Sequence, residues 1–462
     1  MTADLSSRLI RKIGWSSAAA VVMANMVGTG IFTTTGFMAR DLGSAWEILA
    51  TWMAGGMIAL CGALAYGELG AALPEAGGEY IYLGQAYGPL LGFLSGWTSF
   101  FAGFSGAIAA ALLGLAGYLD RLAPGIAGAG VDARVVALAA LWILTAVHCL
   151  GIGPGGRLQT TLTAGTVGAI VLMLAAGFSI GRGSLSNFTS SAPAHGSLAV
   201  SLILVLYAYS GWNAAAYLAG EISDPSRAVP RALLSGTAVV AALYVALNAT
   251  YFYALPVARL AGVLAIGETT ADALFGPGAA RLVAATIALA ILSSASAMVL
   301  AGPRVYYAMA RDRLAPRLLA AIGASSGAPA RAIIVQSAWT SILILFFHTF
   351  ESVVIYTGFV VTLFSAAGVG AVIVLRTTRP EMPRPFAMPG YPWLAVLYLA
   401  TSAWIAIYTV TGRPREAIIG LATVAAGAPV YMLMTRLERR TRRLAARSER
   451  SDRPHRSEVS GV

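Results

Sequence analysis

The chain has little charge for its length. Of its 462 residues, 11% are Asp, Glu, Lys or Arg and 58% are hydrophobic. A soluble globular domain has about 25% charged residues, so this composition excludes one. The apolar residues instead form runs of about 20 residues, the length that a helix needs to cross a bilayer.

Cysteine is also scarce, and the residues of common catalytic sites are scattered. Cys61 and Cys149 are too few for a disulfide framework and lack CxxC spacing. The four histidines form no HExxH motif and no Ser/His/Asp arrangement. The sequence therefore predicts no cofactor and disfavours a membrane enzyme. A channel is also disfavoured, because the spans contain no continuous polar stripe or ring of charges.

Twelve apolar runs predict an all-α membrane protein with twelve transmembrane helices. The runs are rich in Ala, Leu and Gly and do not alternate in polarity, which argues against barrel strands. Their predicted limits are 15–38, 46–71, 89–118, 134–151, 159–181, 197–220, 231–254, 279–309, 332–348, 353–375, 392–412 and 416–435. The membrane domain thus covers 15–435, between an N-terminal tail (1–14) and a basic tail (436–462).

The positive charge lies in short loops and in the basic tail. The net charge of +11 does not indicate nucleic-acid binding, because no soluble domain presents it on one face. Most Lys and Arg residues fall on the side of the N-terminus, so both termini are predicted to be cytoplasmic in a multi-pass inner (plasma) membrane protein. The tail 436–462 lacks apolar periodicity and is predicted to be disordered. It would anchor the topology, with attraction to anionic lipid as the alternative.

Glycines interrupt the first and sixth runs near their middles. The first run contains Gly28-Thr29-Gly30, and the sixth contains Gly211 beside Ser210 and Asn213. These runs open two five-helix sets, and interrupted helices at matching positions of two halves indicate a transporter binding site. A close helix contact made by small residues is the alternative.

Breaks of this kind expose backbone groups that need partners. Inside a membrane, non-helical backbone is tolerated only where it is buried in protein or lines a cavity. The half-helix after the first break, from about Ile31, would direct its positive N-terminal end at a carboxylate. The half-helix before the second break, to about Tyr209, would direct carbonyl groups at an ammonium group. The sequence thus predicts a site for an amino acid zwitterion.

Several segments resemble amino acid permeases of the amino acid–polyamine–organocation (APC) superfamily, close to its L-type and bacterial cationic branches. The resemblance covers roughly residues 12–435. The segments that carry it are GTGIF (28–32), AYGELGAALPEAGGEYIYLGQAYGP (65–89), YAYSGWN and AGEISDPSRAVPRAL (within 207–233), RVYYAMARDRLAP (304–316) and RPEMPRPFAMPGYP (379–392). It implies two inverted five-helix repeats, about 15–181 and 197–375, with discontinuous helices 1 and 6 and two extra helices within 392–435. It also implies alternating access, in which a bundle of spans 1, 2, 6 and 7 moves against the rest.

The resemblance also implies residue roles. The substrate carboxylate would bind the N–H groups of Gly28, Thr29 and Gly30, with the Thr29 hydroxyl. The ammonium group would bind the carbonyls of Met26, Tyr207, Ala208 and Ser210. Tyr207 also matches the aromatic position over bound substrate and is the candidate gate, an ordinary packed tyrosine being the alternative.

The chain departs from many relatives at a lysine of span five. Thr166 stands at that position, and Lys12 is the only lysine in the chain, so a proton mechanism that uses such an amine is in doubt. Oxygen atoms of spans one, five and eight could instead bind a hard cation such as sodium. The candidate residues are Ala24, Val27, Thr166, Ser293, Ser294 and Ser296. The alternative is that the serines bond their own helix backbone, so the coupling ion, H⁺ or Na⁺, stays open.

Acidic residues are absent from the middle of every predicted span. Glu68 and Glu221 lie near span ends, where pairing with arginines is expected. A cationic side chain in the pocket would therefore lack a counter-charge, which favours neutral substrates. The sequence predicts an amino acid permease, with a sodium-coupled symporter, an exchanger, or a carrier of cationic amino acids or polyamines as alternatives. No disulfide-linked partner subunit is expected, because neither cysteine lies in an outer loop.

Overall fold

The computed structural model describes residues 9–122, 132–324, 326–346 and 350–451. This part of the chain is helical and, apart from two isolated bridges, contains no β-structure, so the all-α prediction is confirmed there. The helices are α1 (Trp15–Met26), α2 (Thr34–Leu42), α3 (Ala45–Ala72), α4 (Glu79–Tyr87), α5 (Pro89–Thr98), α6 (Phe104–Leu122), α7 (Ala133–Cys149), α8 (Ile152–Ser179), α9 (Leu198–Ala208), α10 (Ala214–Tyr217), α11 (Pro225–Ala254), α12 (Val257–Leu260), α13 (Ile266–Phe275), α14 (Ala279–Ala301), α15 (Pro303–Arg311), α16 (Ala330–Phe346), α17 (Phe350–Thr378), α18 (Trp393–Gly412) and α19 (Pro414–Ser451).

Eight helical segments in the described part of the chain are long and apolar enough to cross a membrane. Three more helices, α7, α9 and α16, are apolar but shorter. Each predicted run coincides with one or more helices, and the first and sixth coincide with interrupted ones. The total of twelve spans and the inverted repeat stay predictions.

Small residues let the central helices approach one another closely. Helix α11 packs along α3 and α1, and α14 packs along α6. A Cβ on Gly236 of α11 would lie 2.8 Å from Val22 of α1, and one on Gly62 of α3 would lie 2.5 Å from Trp212. Because helices in lipid gain little hydrophobic free energy by pairing, close packing of this kind holds them together.

Two ion pairs join helices at the side of the bundle where α1 begins, called the N-terminal side below. Glu221 accepts hydrogen bonds from Arg304 at 2.7 and 3.0 Å, and both side chains are buried. Glu68 accepts two from Arg376 at 2.9 and 2.6 Å. The predicted pairing of both glutamates with arginines is confirmed. Removing one partner of a buried pair leaves an uncompensated charge, at a cost of about 3–5 kcal/mol.

The backbone before α1 adds hydrogen bonds to these ion pairs on the N-terminal side. The N–H groups of Lys12 and Ile13 both donate to the carbonyl of Glu221 at 2.9 Å, and Ser223 N–H donates back to Ile13. The chain that enters span one is therefore tied to the end of span six. This contact places Glu221 and Arg304 on the N-terminal side.

The basic tail differs from its prediction. Helix α19 continues to Ser451, whereas the sequence predicted disorder from residue 436. This stretch is rich in Arg, Leu, Ala and Glu, all of which favour helix, so it extends the preceding helix without needing a core. Residues 452–462 of the tail lie outside the described residues, as do 1–8 of the N-terminal tail.

Candidate functional site

The first predicted break is present. Helix α1 ends at Met26, a tight turn follows over Gly30–Phe32, and α2 begins at Thr34. The N–H of Val27 still bonds to α1, but backbone bonding resumes only where Phe32 N–H donates to a carbonyl at 3.1 Å. The expected start of the second half-helix, near Ile31, agrees with the turn.

Three consecutive N–H groups of partly exposed residues lack backbone partners in this break, as does that of the buried Ile31. Among the described residues, no backbone carbonyl accepts a hydrogen bond from Gly28, Thr29 or Gly30. These three residues are partly exposed, although Val27 and Ile31 on either side are buried. A Cβ on Gly28 would meet no atom within 4 Å, so the backbone there borders open space. Donors grouped before a helical segment are suited to a carboxylate.

The second predicted break is also present. Helix α9 ends at Ala208, and α10 begins at Ala214. Gly211 between them has a φ of +98°, which side-chain-bearing residues rarely adopt. A Cβ at this position would also lie 2.6 Å from the carbonyl oxygen of Asn25. Glycine is therefore required here by backbone conformation and by space.

The structure brings the two breaks into contact. A Cβ on Gly30 would lie 2.9 Å from the Cβ of Ala208. At the other end of the contact, Asn25 Nδ2 donates to the carbonyl of Gly211 at 3.2 Å. Gly30 and Gly211 thus serve helix packing, the alternative considered for the glycines, while Gly28 faces free space.

Tyr244 of α11 bonds two carbonyls that the resemblance assigns to an ammonium group. Its hydroxyl lies 2.7 Å from the Met26 carbonyl oxygen and 3.2 Å from that of Ala208. The hydroxyl has one proton to share between them. The carbonyl of Tyr207 accepts from Ser210 N–H at 3.0 Å. Three of the four predicted carbonyls therefore already have a donor.

A cavity of about 330 Å³ borders the second break. It is lined by Asn25 and by Tyr207, Ser210 and Gly211. Tyr207 is 39% exposed, and a Cβ on Gly358 of α17 would meet its ring at 3.4 Å. The tyrosine thus lies between the sixth span and α17, a position that suits a gate.

The cavity extends away from the N-terminal side. Its wall includes Ile405 and Thr409, on the second half of α18. Helix α18 starts beside Met388, whose N–H donates to Glu68 at 2.7 Å, so its first residues lie on the N-terminal side. The cavity is therefore directed at the opposite side of the bundle.

The middle of span three also departs from a regular helix. A wide π-helical turn covers Ser99–Gly103, between α5 and α6, where the sequence predicted an uninterrupted run. Thr98 and Ser99 at this turn line the cavity. Wide turns of this kind often occur at functional sites.

A polar contact joins spans one, five and eight, and of the six coupling-site candidates Ser293 takes part in it. Thr163 Oγ1 lies 3.2 Å from the carbonyl of Ala20 and 3.4 Å from Ser293 Oγ, and Gln159 Nε2 donates to the Ser293 carbonyl at 3.3 Å. Thr166 is buried and bonds its own helix through the carbonyl of Leu162 at 2.9 Å. The resemblance implies that a lysine of span five would reach between spans one and eight. In this chain Thr163 lies at that place.

The remaining candidates are separate from this contact. Ser296 Oγ lies 2.9 Å from His148 Nε2, which gives that buried histidine a neutral partner. Ala24, Val27 and Ser294 are buried, and among the described residues no side-chain hydrogen bond joins Ser294 to this contact. The six candidates therefore do not converge on one point through hydrogen bonds.

An acidic residue lies at the cavity, contrary to expectation. Glu79, at the start of α4, is buried and lines the cavity, where it accepts a hydrogen bond from Asn213 at 2.9 Å. The inference that the pocket lacks a negative charge is wrong at this point, because α4 returns into the bundle. Asn213, which had no assigned role, acquires one through this bond.

Sequence reasoning missed three residues of the site: Asn25, Tyr244 and Glu79. Asn25 and Tyr244 are polar groups inside apolar runs, a signal that was visible. Glu79 lies in a loop by its sequence, and nothing local indicates that its carboxylate meets span six.

Comparison with known proteins shows the family to which this chain belongs. A family model described as amino acid permease matches residues 13–428. The chain belongs to the amino acid permease family. The family and superfamily resemblance predicted from the sequence is confirmed.

The relatives are transporters from animals and bacteria. The mouse protein named large neutral amino acids transporter small subunit 2 is 29% identical over 92% of this chain and 81% of its own. Mouse Asc-type amino acid transporter 1 is 27% identical over 92% and 81%. Serine/threonine exchanger SteT of Bacillus subtilis (strain 168) is 28% identical over 92% and 96%. The permease is thus a membrane transporter of amino acids, not an enzyme.

Proposed function

We propose that this permease moves neutral amino acids across the cytoplasmic membrane by alternating access as a secondary active transporter. One observation carries the proposal: two helix breaks touch inside the bundle, and one of them presents three N–H groups beside free space. Relatives whose names specify neutral amino acids, serine or threonine support the substrate class.

The substrate carboxylate binds at the first break. The N–H groups of Gly28, Thr29 and Gly30 donate to it, and the absence of a side chain at Gly28 leaves room for it. No cationic side chain is needed, because grouped N–H donors already favour a negative charge.

The ammonium group binds at the edge of the second break. It competes with the Tyr244 hydroxyl for the carbonyls of Met26 and Ala208. The carbonyls of Tyr207 and Ser210 are the other two acceptors. A charged donor makes stronger bonds than a neutral hydroxyl. Tyr244 therefore occupies the acceptors in the empty site and yields them, or shares them, when substrate arrives.

The substrate side chain extends into the cavity. Its wall is mostly apolar but includes the hydroxyls of Thr98 and Thr357, which have no partner among the described residues. Such a surface suits neutral side chains, including those with a hydroxyl. Tyr207 closes over the substrate from the side of α17.

The conformation is closed on the N-terminal side, which we assign to the cytoplasm. The Glu221–Arg304 and Glu68–Arg376 pairs hold that side together. In transport, spans 1, 2, 6 and 7 would move against the rest and separate these contacts. The cavity would then open to the cytoplasm, and both termini would lie there.

Sodium coupling has weaker support than the other assignments. The Ser293 hydroxyl has the Nε2 donor of Gln159 and the Thr163 hydroxyl beside it, each at 3.4 Å, so one of its two neighbours is a nitrogen that cannot bind a cation. A hard cation needs several oxygen ligands.

Both cysteines lie within helices, α3 and α7, so we propose no disulfide-linked partner.

The test is counterflow in proteoliposomes that contain the purified protein. Vesicles loaded with unlabelled L-serine, L-leucine or L-lysine are diluted into the same labelled amino acid at low concentration. A transient accumulation of labelled serine or leucine, saturable and absent from empty vesicles, is expected. Accumulation of lysine alone would contradict the neutral class, and flux without saturation would indicate a channel.

A further inference from the structure

Glu79 lies where the cavity ends on the N-terminal side. Its side chain is 4% exposed, yet it contributes to the cavity wall. Its neighbour Asn213 directly follows the second break, and Tyr66 stands two positions before the ion-paired Glu68 on α3. The carboxylate is therefore between the substrate site and the closed side.

One oxygen of this carboxylate joins three separate elements. Oε1 of Glu79 accepts from Tyr66 on α3 at 2.7 Å, from Asn213 beside the second break at 2.9 Å, and from Ser365 on α17 at 3.0 Å. The proposed mechanism separates spans two and six from α17. These bonds cross the surface that has to open.

No charge compensates this carboxylate. None of the ion pairs found among the described residues includes Glu79. The titratable groups that face it are phenols, neutral near pH 7, and α17 contributes only the Ser365 hydroxyl. The phenols belong to Tyr66 (α3), Tyr82 (α4), Tyr217 (α10) and Tyr398 (α18).

Burial and hydrogen bonding have opposite effects on the pKa of the Glu79 carboxyl. Burial raises the pKa of the Glu79 carboxyl above its ordinary value, and the bonds from Tyr66, Ser365 and Asn213 offset part of the rise. Exposure to water would remove the cause of the rise. The group thus holds a proton more readily in the closed conformation than in an open one.

We propose that Glu79 is a proton-binding site that takes up a proton while the N-terminal side is closed and releases it when that side opens. The inference rests on the proposed transport function and names the group that carries the ion. A resident lysine of span five is not required for it.

The proton step needs no other reactant. A proton from the water of the cavity bonds to the carboxylate and removes its charge. The neutral carboxyl is the form that burial favours in the closed conformation. When the N-terminal side opens, the bonds that cross the opening surface break and water reaches Glu79. The ionised form is then favoured, and the proton leaves on that side with the substrate.

The experiment compares wild type, Glu79→Gln and Glu47→Gln in proteoliposomes with a trapped pH dye. Glutamine keeps the size and the neutral form of a protonated carboxyl, and Glu47 is an exposed glutamate on α3 that serves as the matched control. In wild type and in the control, an acidic exterior should raise serine uptake, and serine should acidify the lumen. In Glu79→Gln, the gradient-driven serine uptake should fall at least tenfold, and serine should no longer acidify the lumen.

A second variant keeps the test decisive if Glu79→Gln fails to fold. Tyr66→Phe removes one donor to the charged form, so the carboxyl should hold its proton to higher pH. The midpoint of the pH profile of serine uptake should rise by about one unit. A purely structural role of Tyr66 would lower the rate without moving the midpoint.

The possible results separate the inference from the function. Counterflow in wild type with an identical pH profile in Glu79→Gln would overturn the inference alone, as would an unmoved midpoint in Tyr66→Phe. Loss of L-lysine binding with unchanged proton movement would assign the carboxylate to a cationic substrate and overturn it too. Absence of counterflow from wild type would overturn the proposed function and the inference together.

Discussion

The two helix breaks use their backbone groups in different ways. The break in the first span leaves the N–H groups of three consecutive residues without backbone partners. The break in the sixth span has most of its carbonyls occupied, by Tyr244, by Asn25 and by its own turn. The acidic end of a zwitterion would therefore meet an open site, whereas the basic end would displace resident donors.

This difference follows from the side chains that face each break. Tyr244 and Asn25 donate to carbonyls of the second break. A hydroxyl or an amide oxygen could equally accept from an N–H group, but among the described residues none bonds the N–H groups of the first break. We infer that the first break determines whether substrate binds and that the second adjusts how tightly.

The largest effect is expected at the open break. In Gly28→Val the side chain fills the free space beside the N–H groups, so the carboxylate should lose at least two charge-assisted bonds of about 1.5–3 kcal/mol each. The affinity for serine should fall by about 100-fold or more. Thermal stabilisation of the purified protein by serine is the measurement.

The controls for this change lie in the same chain. Gly114→Val on α6 also enters space with no atom within 4 Å, outside the cavity, and should leave the response to serine intact. Gly30→Ala presses on Ala208 and should lower the melting temperature of the empty protein as well. Normal serine binding by Gly28→Val would mean that the carboxylate binds elsewhere.

A smaller effect is expected at the gate. Tyr207→Ala removes the ring between the sixth span and α17, so serine transport should fall by about tenfold with little change in expression. Tyr207→Phe keeps the ring and should retain most of the rate. Serine transport and expression are measured in the same cells. An equal loss of expression and transport in Tyr207→Ala would assign the residue to packing.

The smallest effect is expected at the occupied break. Tyr244→Phe leaves the carbonyls of Met26 and Ala208 without their hydroxyl, which should destabilise the empty protein by about 1–3 kcal/mol. Because the competing donor is gone, serine should raise the melting temperature more than it does in wild type. A smaller rise than in wild type would show that the Tyr244 hydroxyl itself binds the substrate.

The positions of both breaks could be predicted from the sequence, but their surroundings could not. Glycines in the middle of apolar runs indicate where a helix ends, and the ends at Met26 and Ala208 agree with the prediction to within a few residues. The partners of the freed groups come from distant parts of the chain. Tyr244 reaches Met26 across 218 residues and Asn213 reaches Glu79 across 134, and single-sequence patterns carry no information about such pairs.

The same limit explains the wrong expectation for the pocket, whereas the difference in the tail has a local cause. The pocket was expected to lack an acid because no span has one at its centre, yet α4 places Glu79 there from a loop. The tail was expected to be disordered because it has no apolar face, yet its residues favour helix on their own. The apolar pattern of a segment indicates which of its residues are buried. It does not indicate whether a segment between two spans returns into the bundle.

The central claim is that backbone N–H groups of the first break hold the substrate carboxylate. A structure of the protein with bound serine, determined by crystallography or cryo-electron microscopy, tests it most directly. The account predicts carboxylate oxygens at about 2.7–3.2 Å from the amide nitrogens of Gly28, Thr29 and Gly30, with no arginine or lysine in contact. A carboxylate paired with a cationic side chain, or bound away from these three nitrogens, would contradict it.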